Sequence, residues 1–163
     1  MGYIHRSIEK MCERLSYRQF IYVTSRMDYL SSHINNTACA LLIEKGMQIE
    51  VPERAKVVRT ILNELTRIAS HELWIGAMAM DLGAFTPFLH MLRDRERIID
   101  LFEMTCGARL LYNYMWVGGL SHDLPKGFVE ATLNFLDYFE PKIDEFENLL
   151  GHNKIFVERT RLF

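Results

Sequence analysis

Cysteine is scarce in this 163-residue sequence, where Cys12, Cys39 and Cys106 are odd in number, far apart and without a C-x-x-C pair. That spacing disfavours a disulfide framework and a zinc site, and it suits a reducing cytoplasm. No uncharged apolar run approaches the roughly 18 residues that span a bilayer. The start, Met1-Gly2-Tyr3-Ile4-His5-Arg6, lacks the apolar core of a signal peptide. Neither sign of charge dominates: 19 Lys and Arg stand against 21 Asp and Glu, a formal net charge of -2. Composition therefore gives no argument for nucleic acid or an anionic membrane as partner. P-loop, G-x-G-x-x-G, G-x-S-x-G and H-E-x-x-H motifs are all missing. No Glu is followed three positions later by His, which removes the di-iron reading that a helical bundle invites. Period-two alternation is never sustained, and no internal repeat is visible.

What is present is ordinary for a soluble globular chain, with 49% hydrophobic and 25% charged residues. One helical domain over 1–163 is expected, large enough to bury a core. Apolar residues Ile4, Ile8, Met11, Cys12 and Leu15 line one helix face. Tyr17 to Tyr22 reads as a short helix or turn. N-cap candidates from Thr24 to Asp28 open a helix reaching about Lys45, ended by Gly46. Proline at position 52 starts a long central helix. Pro87 to Thr105 is another, closed by Gly107, and Leu110 to Leu120 is an aromatic, glycine-punctuated connection. Asp123-Leu124-Pro125 opens a final helix, Lys126 to Leu150, stopped by Gly151. The sum is an all-α bundle of about five main helices. Met1 leads straight into a helical pattern and Phe163 follows without a stop signal, so the chain reads as a fragment of a longer one.

The stretch from Pro52 to Phe88 organises the rest. Its helix begins amphipathic and becomes apolar on all sides from Leu73 to Met80, as a helix entering the middle of a bundle does. It ends on Asp81, with Gly83 to stop it and Thr86-Pro87 to cap and start the next helix. A carboxylate in the last turn of a buried helix is disfavoured by the macrodipole and by apolar surroundings. Leu73, Ala77 and Asp81 share one face. That face reads either as the wall of an apolar cavity with an acid at its end or as a position where the acid caps or pairs with a cation. Glu64, Arg67 and His71 share a second face, read as a structural buried network.

Several segments together carry a family resemblance. They include Gly2-Tyr3-Ile4-His5-Arg6, Arg26-Met27-Asp28-Tyr29, Val51-Pro52-x-Arg54-Ala55 and Glu64-Leu65-Thr66-Arg67-x-x-Ser70-His71. Asp81-Leu82-Gly83-Ala84-x-Thr86-Pro87-Phe88, Arg95-Glu96-x-Ile98, Asp100-Leu101-Phe102-Glu103 and Gly107-Ala108-Arg109 follow in order. Then come Asn113-Tyr114, Gly118-Gly119, Asp123-Leu124-Pro125 and Ile143-Asp144-Glu145. The chain resembles, along essentially its whole length, the quinone-site D subunit of proton-pumping NADH:quinone oxidoreductase, respiratory complex I. Members of that family are longer, so the resemblance implies a central helical fragment that lacks N- and C-terminal parts. It also implies a fold like the large subunit of nickel-iron hydrogenases. Where those enzymes carry R-x-C-G-x-C, this chain has Arg26-Met27-Asp28-Tyr29-Leu30-Ser31. Asp28 and Ser31 take the cysteine positions, so thiolate ligation of nickel and iron is lost and no metal is expected on this chain.

By the same resemblance, Tyr29 hydrogen-bonds a quinone carbonyl, and Asp81 feeds protons to the reduced ring beside a histidine outside these residues. Leu73, Ala77 and Leu89 line the cavity. His5, Arg6 and Arg109 lie near a 4Fe–4S cluster held by the neighbouring B subunit. Other implied partners are the C subunit and the membrane subunit with the quinone channel, on the cytoplasmic side of the inner (plasma) membrane. Two departures stand out: Ser7 replaces a usual glycine, and Leu111 stands where the family usually has a histidine. The alternatives are a non-catalytic helical interaction module, with Asp81 salt-bridged inside the bundle, and a hydrogenase- or formate-linked relative. The fragment alone is expected to be inactive.

Overall fold

The computed structural model describes residues 2–161, so the end positions Met1 and Phe163 lie outside the described residues. The described chain is mostly helical, with seven helices and one short hairpin. In order these are α1 (Ile8–Cys12), α2 (Tyr17–Thr24), α3 (Ser32–Met47), α4 (Glu53–Asp81) and α5 (Phe85–Cys106). The strands β1 (Met115–Trp116) and β2 (Gly119–Leu120) precede α6 (Phe128–Gly151) and α7 (Lys154–Thr160). No described helix is long and apolar enough to cross a membrane. The chain, expected as one helical domain, forms two compact units: residues 1–66 with 110–123, and residues 67–109 with 124–163.

In the first unit the expected helix from Ile4 to Leu15 shrinks to five residues, because Ile4 and Met11 are exposed and give the stripe nothing to pack on. The aromatic segment after it is a regular helix. Ser16 accepts from the Gln19 N–H, while the Gln19 side chain takes the Ser16 N–H at 3.1 Å, a capping box. Ile21, Cys39 and Ile43 form an apolar core, with Phe20 and Val117 packed against it. Thr24, Asn36 and His33 add a polar layer. Thr24 donates to Asn36 Oδ1 at 2.8 Å, and Asn36 Nδ2 donates to the Tyr112 carbonyl at 2.7 Å.

The Leu110 to Leu120 connection contains an antiparallel pair, Met115 opposite Leu120 and Trp116 opposite Gly119. Gly118 has φ 86°, a left-handed value that a glycine supplies cheaply at the tight turn. Beneath the turn lies a buried ion pair, Glu44 with Arg59.

The second unit is built on the narrow buried face of α4. Ala69, Glu72, Gly76 and Ala79 follow one another at helical spacing and are all buried. Small residues there let α5 come close: a Cβ on Gly76 would lie 3.2 Å from the Phe88 Cα. Met91, Ile98, Phe102, Phe135 and Phe146 complete the core. α5 begins at Phe85 with Ala84 as its cap, two positions before the expected Pro87. Gly107 closes it in the left-handed conformation, as expected.

Candidate functional site

Asp81 is the last residue of α4. The helix stops where the glycine signal put it: Gly83 has φ 93°, its N–H donates to the Met80 carbonyl at 2.9 Å, and the Ala84 N–H donates to Ala79 at 2.7 Å. These two bonds make a Schellman stop. The Leu82 carbonyl accepts from Arg159 Nη1 at 3.0 Å, a cation at the negative end of the helix dipole.

The surroundings of Asp81 differ from expectation. The acid is exposed, because the buried side of α4 after Thr66 is only the small-residue face. The apolar run therefore points outward on its other sides, with Trp74 59% exposed and Met78 and Met80 also open. Leu73 and Ala77 are half-buried, while Leu89 and Phe85 on α5 are exposed. The result is an acid at a helix end, on a unit whose neighbouring apolar side chains are uncovered. Asp81 makes no ion pair among the described residues.

Tyr29 lies in the first unit, in the loop between α2 and α3, with its side chain 53% exposed. The backbone around it is pinned. Asp28 Oδ1 accepts the Leu30 N–H at 3.1 Å, Asn35 Nδ2 donates to the Asp28 carbonyl at 3.0 Å, and Ser32 Oγ donates to the Ser25 carbonyl at 3.2 Å. A fixed loop with a free phenol is suited to donating one directed hydrogen bond.

His5 and Arg6 are exposed and line an open hollow of about 470 Å³ with Ile4, Ile8 and Met27. His5 Nδ1 accepts the Ser7 N–H at 3.0 Å. Ser7 has φ 53°, a backbone that a glycine would adopt without strain. Leu111 also has a left-handed φ, of 57°. In the second unit Arg109 is exposed and bonded to Glu96, with Asp100 at 3.1 Å and Glu103 at 3.6 Å. The hydrogen bond to Glu96 leads the interactions that raise its pKa.

The buried network expected of Glu64, Arg67 and His71 is a second correction, since all three are exposed. They lie on the side of α4 away from Ala69 and Glu72, and the His71 ring meets Trp74 edge-on at 6.1 Å between centroids. The buried ionisable groups sit elsewhere: Glu44 with Arg59, Asp94 beside Arg93, and Glu72. Glu72 was legible, because it falls at i+3 from Ala69 and i−4 from Gly76 on the small-residue stripe. Among the described residues no group of three or more His, Cys, Asp or Glu is arranged to hold a metal ion.

A helical chain whose acid-bearing helix end opens among uncovered apolar side chains has the character of one component of a larger assembly. Residues 81–162 match the family described as respiratory-chain NADH dehydrogenase, 49 kDa subunit, and the chain belongs to that family. It is 50% identical over 161 residues to the D subunit of NADH-quinone oxidoreductase from Chlorobium phaeovibrioides, covering 99% of this chain and 40% of that protein. The D subunit from Chlorobaculum tepidum is 49% identical over 160 residues, covering 98% of this chain and 40% of the relative. A D subunit of the same enzyme from an Anaeromyxobacter species is 48% identical over 159 residues, covering 98% of this chain and 42% of the relative. The chain thus spans about 40% of the length of the curated relatives it matches.

Proposed function

We propose that this chain is the helical portion of the quinone-binding subunit of a membrane-associated, proton-translocating NADH:quinone oxidoreductase. The observation that carries the reading is Asp81, an exposed acid at the end of α4 on the face that bears Leu73 and Ala77, in a chain of the 49 kDa family. The name NADH-quinone oxidoreductase, borne by its relatives, supports the substrate class. Leu73, Ala77 and Leu89 offer apolar contact to the ring. The Tyr29 hydroxyl donates to a quinone carbonyl, a bond that strengthens as negative charge builds on the ring. Asp81 is the acid that feeds protons to it, beside a histidine supplied from outside this chain.

His5, Arg6 and Arg109 are the residues that would lie nearest a 4Fe–4S cluster carried by the partner B subunit, and such a cluster would supply the electrons. In this reading the C subunit and the membrane subunit with the quinone channel complete the surroundings, and attachment to the cytoplasmic face of the membrane runs through them. An interaction module without chemistry would need Asp81 paired inside the bundle, and among the described residues it is not. The test is Tyr29→Phe and Asp81→Asn in the full complex. Quinone reduction should fall at least tenfold, on the order of one lost transition-state hydrogen bond, while NADH oxidation by an artificial acceptor and assembly stay unchanged. Full quinone activity in both variants would sink the reading.

A further inference from the structure

Glu72 takes no part in the roles above. It sits in the middle of the buried face of α4, 4% exposed, and neither carboxyl oxygen has a hydrogen-bond partner. Its neighbour on the same helix, His71, faces outward. From α5 come Asp94, fully buried, and Arg95, whose Nε is buried without a partner. α6 reaches the cluster through Tyr138, whose hydroxyl donates to Asp94 Oδ1 at 2.7 Å, with the Lys142 charge also acting on Asp94.

The two buried acids are treated differently. Arg93 holds Asp94 through Nε at 2.7 Å and Nη2 at 2.9 Å. Burial alone would raise the Asp94 pKa, but the Arg93 and Tyr138 hydrogen bonds outweigh it and hold it below the ordinary carboxylate value. Glu72 has no such partner. An unpaired buried carboxylate is far costlier than the neutral acid, so Asp94 carries the charge and Glu72 carries a proton.

We propose that Glu72 is a buried proton-binding site, protonated while Arg95 stays turned from it and releasing its proton to water as the Arg95 guanidinium is drawn onto the carboxylate. The O–H bond of the acid breaks, the proton leaves to solvent, and the charge left on oxygen is met by the cation already on Arg95. The α4–α5 contact then has two states, selected by one proton. Burial first, and then the Asp94 charge, push the Glu72 carboxyl up to about 8, against the pull of Arg95, which puts the change within reach of neutral pH. The inference is independent of the quinone reading, since it needs only this chain.

The test is carbon-13 NMR of the 163-residue chain with labelled glutamate carboxyls, titrated from acid to alkaline pH. One glutamate should titrate near pH 8. Its signal should vanish in Glu72→Gln, and its midpoint should rise in Arg95→Met, where the opposing cation is gone. If every glutamate titrates in the ordinary acid range, or the alkaline step survives Glu72→Gln, the proposal fails. Should Glu72→Gln not fold, an unmoved midpoint in Arg95→Met overturns it equally.

Discussion

Arg59 grips Glu44 through both terminal nitrogens, Nη2 to Oε1 at 2.6 Å and Nη1 to Oε2 at 3.0 Å, with both side chains almost wholly buried. The pair also holds the hairpin. Arg59 Nη2 donates to the carbonyls of Trp116 at 2.7 Å and Gly119 at 2.9 Å, and Glu44 Oε1 accepts the Gly118 N–H at 2.8 Å. Burial by itself would raise the Glu44 pKa, but the Arg59 and Gly118 hydrogen bonds win and lower it. Glu44→Leu strands a buried cation, so chemical denaturation should show a loss of about 3–5 kcal/mol. Adding Arg59→Met should return part of that loss, because the stranded charge goes with it. A single substitution costing under about 1 kcal/mol would mean that the hairpin is held by other contacts.

His33 makes the first unit acid-sensitive. Its ring is fully buried, stacks on Tyr112 at 4.5 Å and meets Thr66 Oγ1 through Nδ1 at 3.0 Å. Thr66 spends its one hydroxyl proton on the Leu62 carbonyl at 2.7 Å, so Nδ1 is the donor to Thr66. Burial lowers the His33 pKa from 6.5 to about 3. Between those values the unfolded chain binds a proton that the folded chain refuses. The stabilisation is therefore complete above pH 6.5 and is lost as pH falls towards 3. The slope is about 1.4 kcal/mol per pH unit at its steepest. Urea midpoints from pH 7 downward should fall more steeply for the wild type than for His33→Gln, and equal slopes would overturn the assignment.

Punctuation was the most legible part of the sequence. Gly83 and Gly107 stand at the left-handed helix stops where their spacing put them. Gly46 did not, because α3 runs on to Met47 and the left-handed residue is Gln48. The hairpin was hidden since two residues per strand leave no period to read. Around Asp81 the expected burial was wrong, since the acid is exposed. An apolar run signals burial only if something covers it, and Trp74, Met78 and Phe85 are left open on this chain. The same error put the buried charge on Glu64, Arg67 and His71, when the buried face is set by where Ala69, Gly76 and Ala79 let α5 approach.

Gln48 is the cleanest site for a stabilising change. It is exposed, with φ 53°, and the following Ile49 N–H donates to the Glu44 carbonyl at 2.9 Å, so the strained residue occupies the glycine position of a helix stop. Gln48→Gly should raise stability by roughly 0.5–1 kcal/mol, the left-handed penalty relieved less the added freedom of the unfolded chain. Gln48→Val should lower it, as a β-branched side chain fits that conformation worst. Thermal melts of the three chains give the order directly, and a Gly variant below the wild type would refute the argument.

Glu72 should tilt stability the opposite way from His33. Its folded pKa of about 8 lies above the unfolded 4.5, so the folded chain holds the extra proton between those limits. The associated stabilisation is complete below pH 4.5 and is lost as pH rises through 8. Other acids also titrate at low pH, so the informative quantity is the wild type minus Glu72→Gln, which keeps the shape of the neutral acid and cannot ionise. That difference should decline from pH 6 to pH 8 at up to about 1.4 kcal/mol per unit and level off above it. Native-state hydrogen exchange of α4 and α5 amides reads it within the unit that contains Glu72. A difference flat across that range would mean that Arg95 already pairs with the carboxylate at neutral pH, and that the contact has one state rather than two.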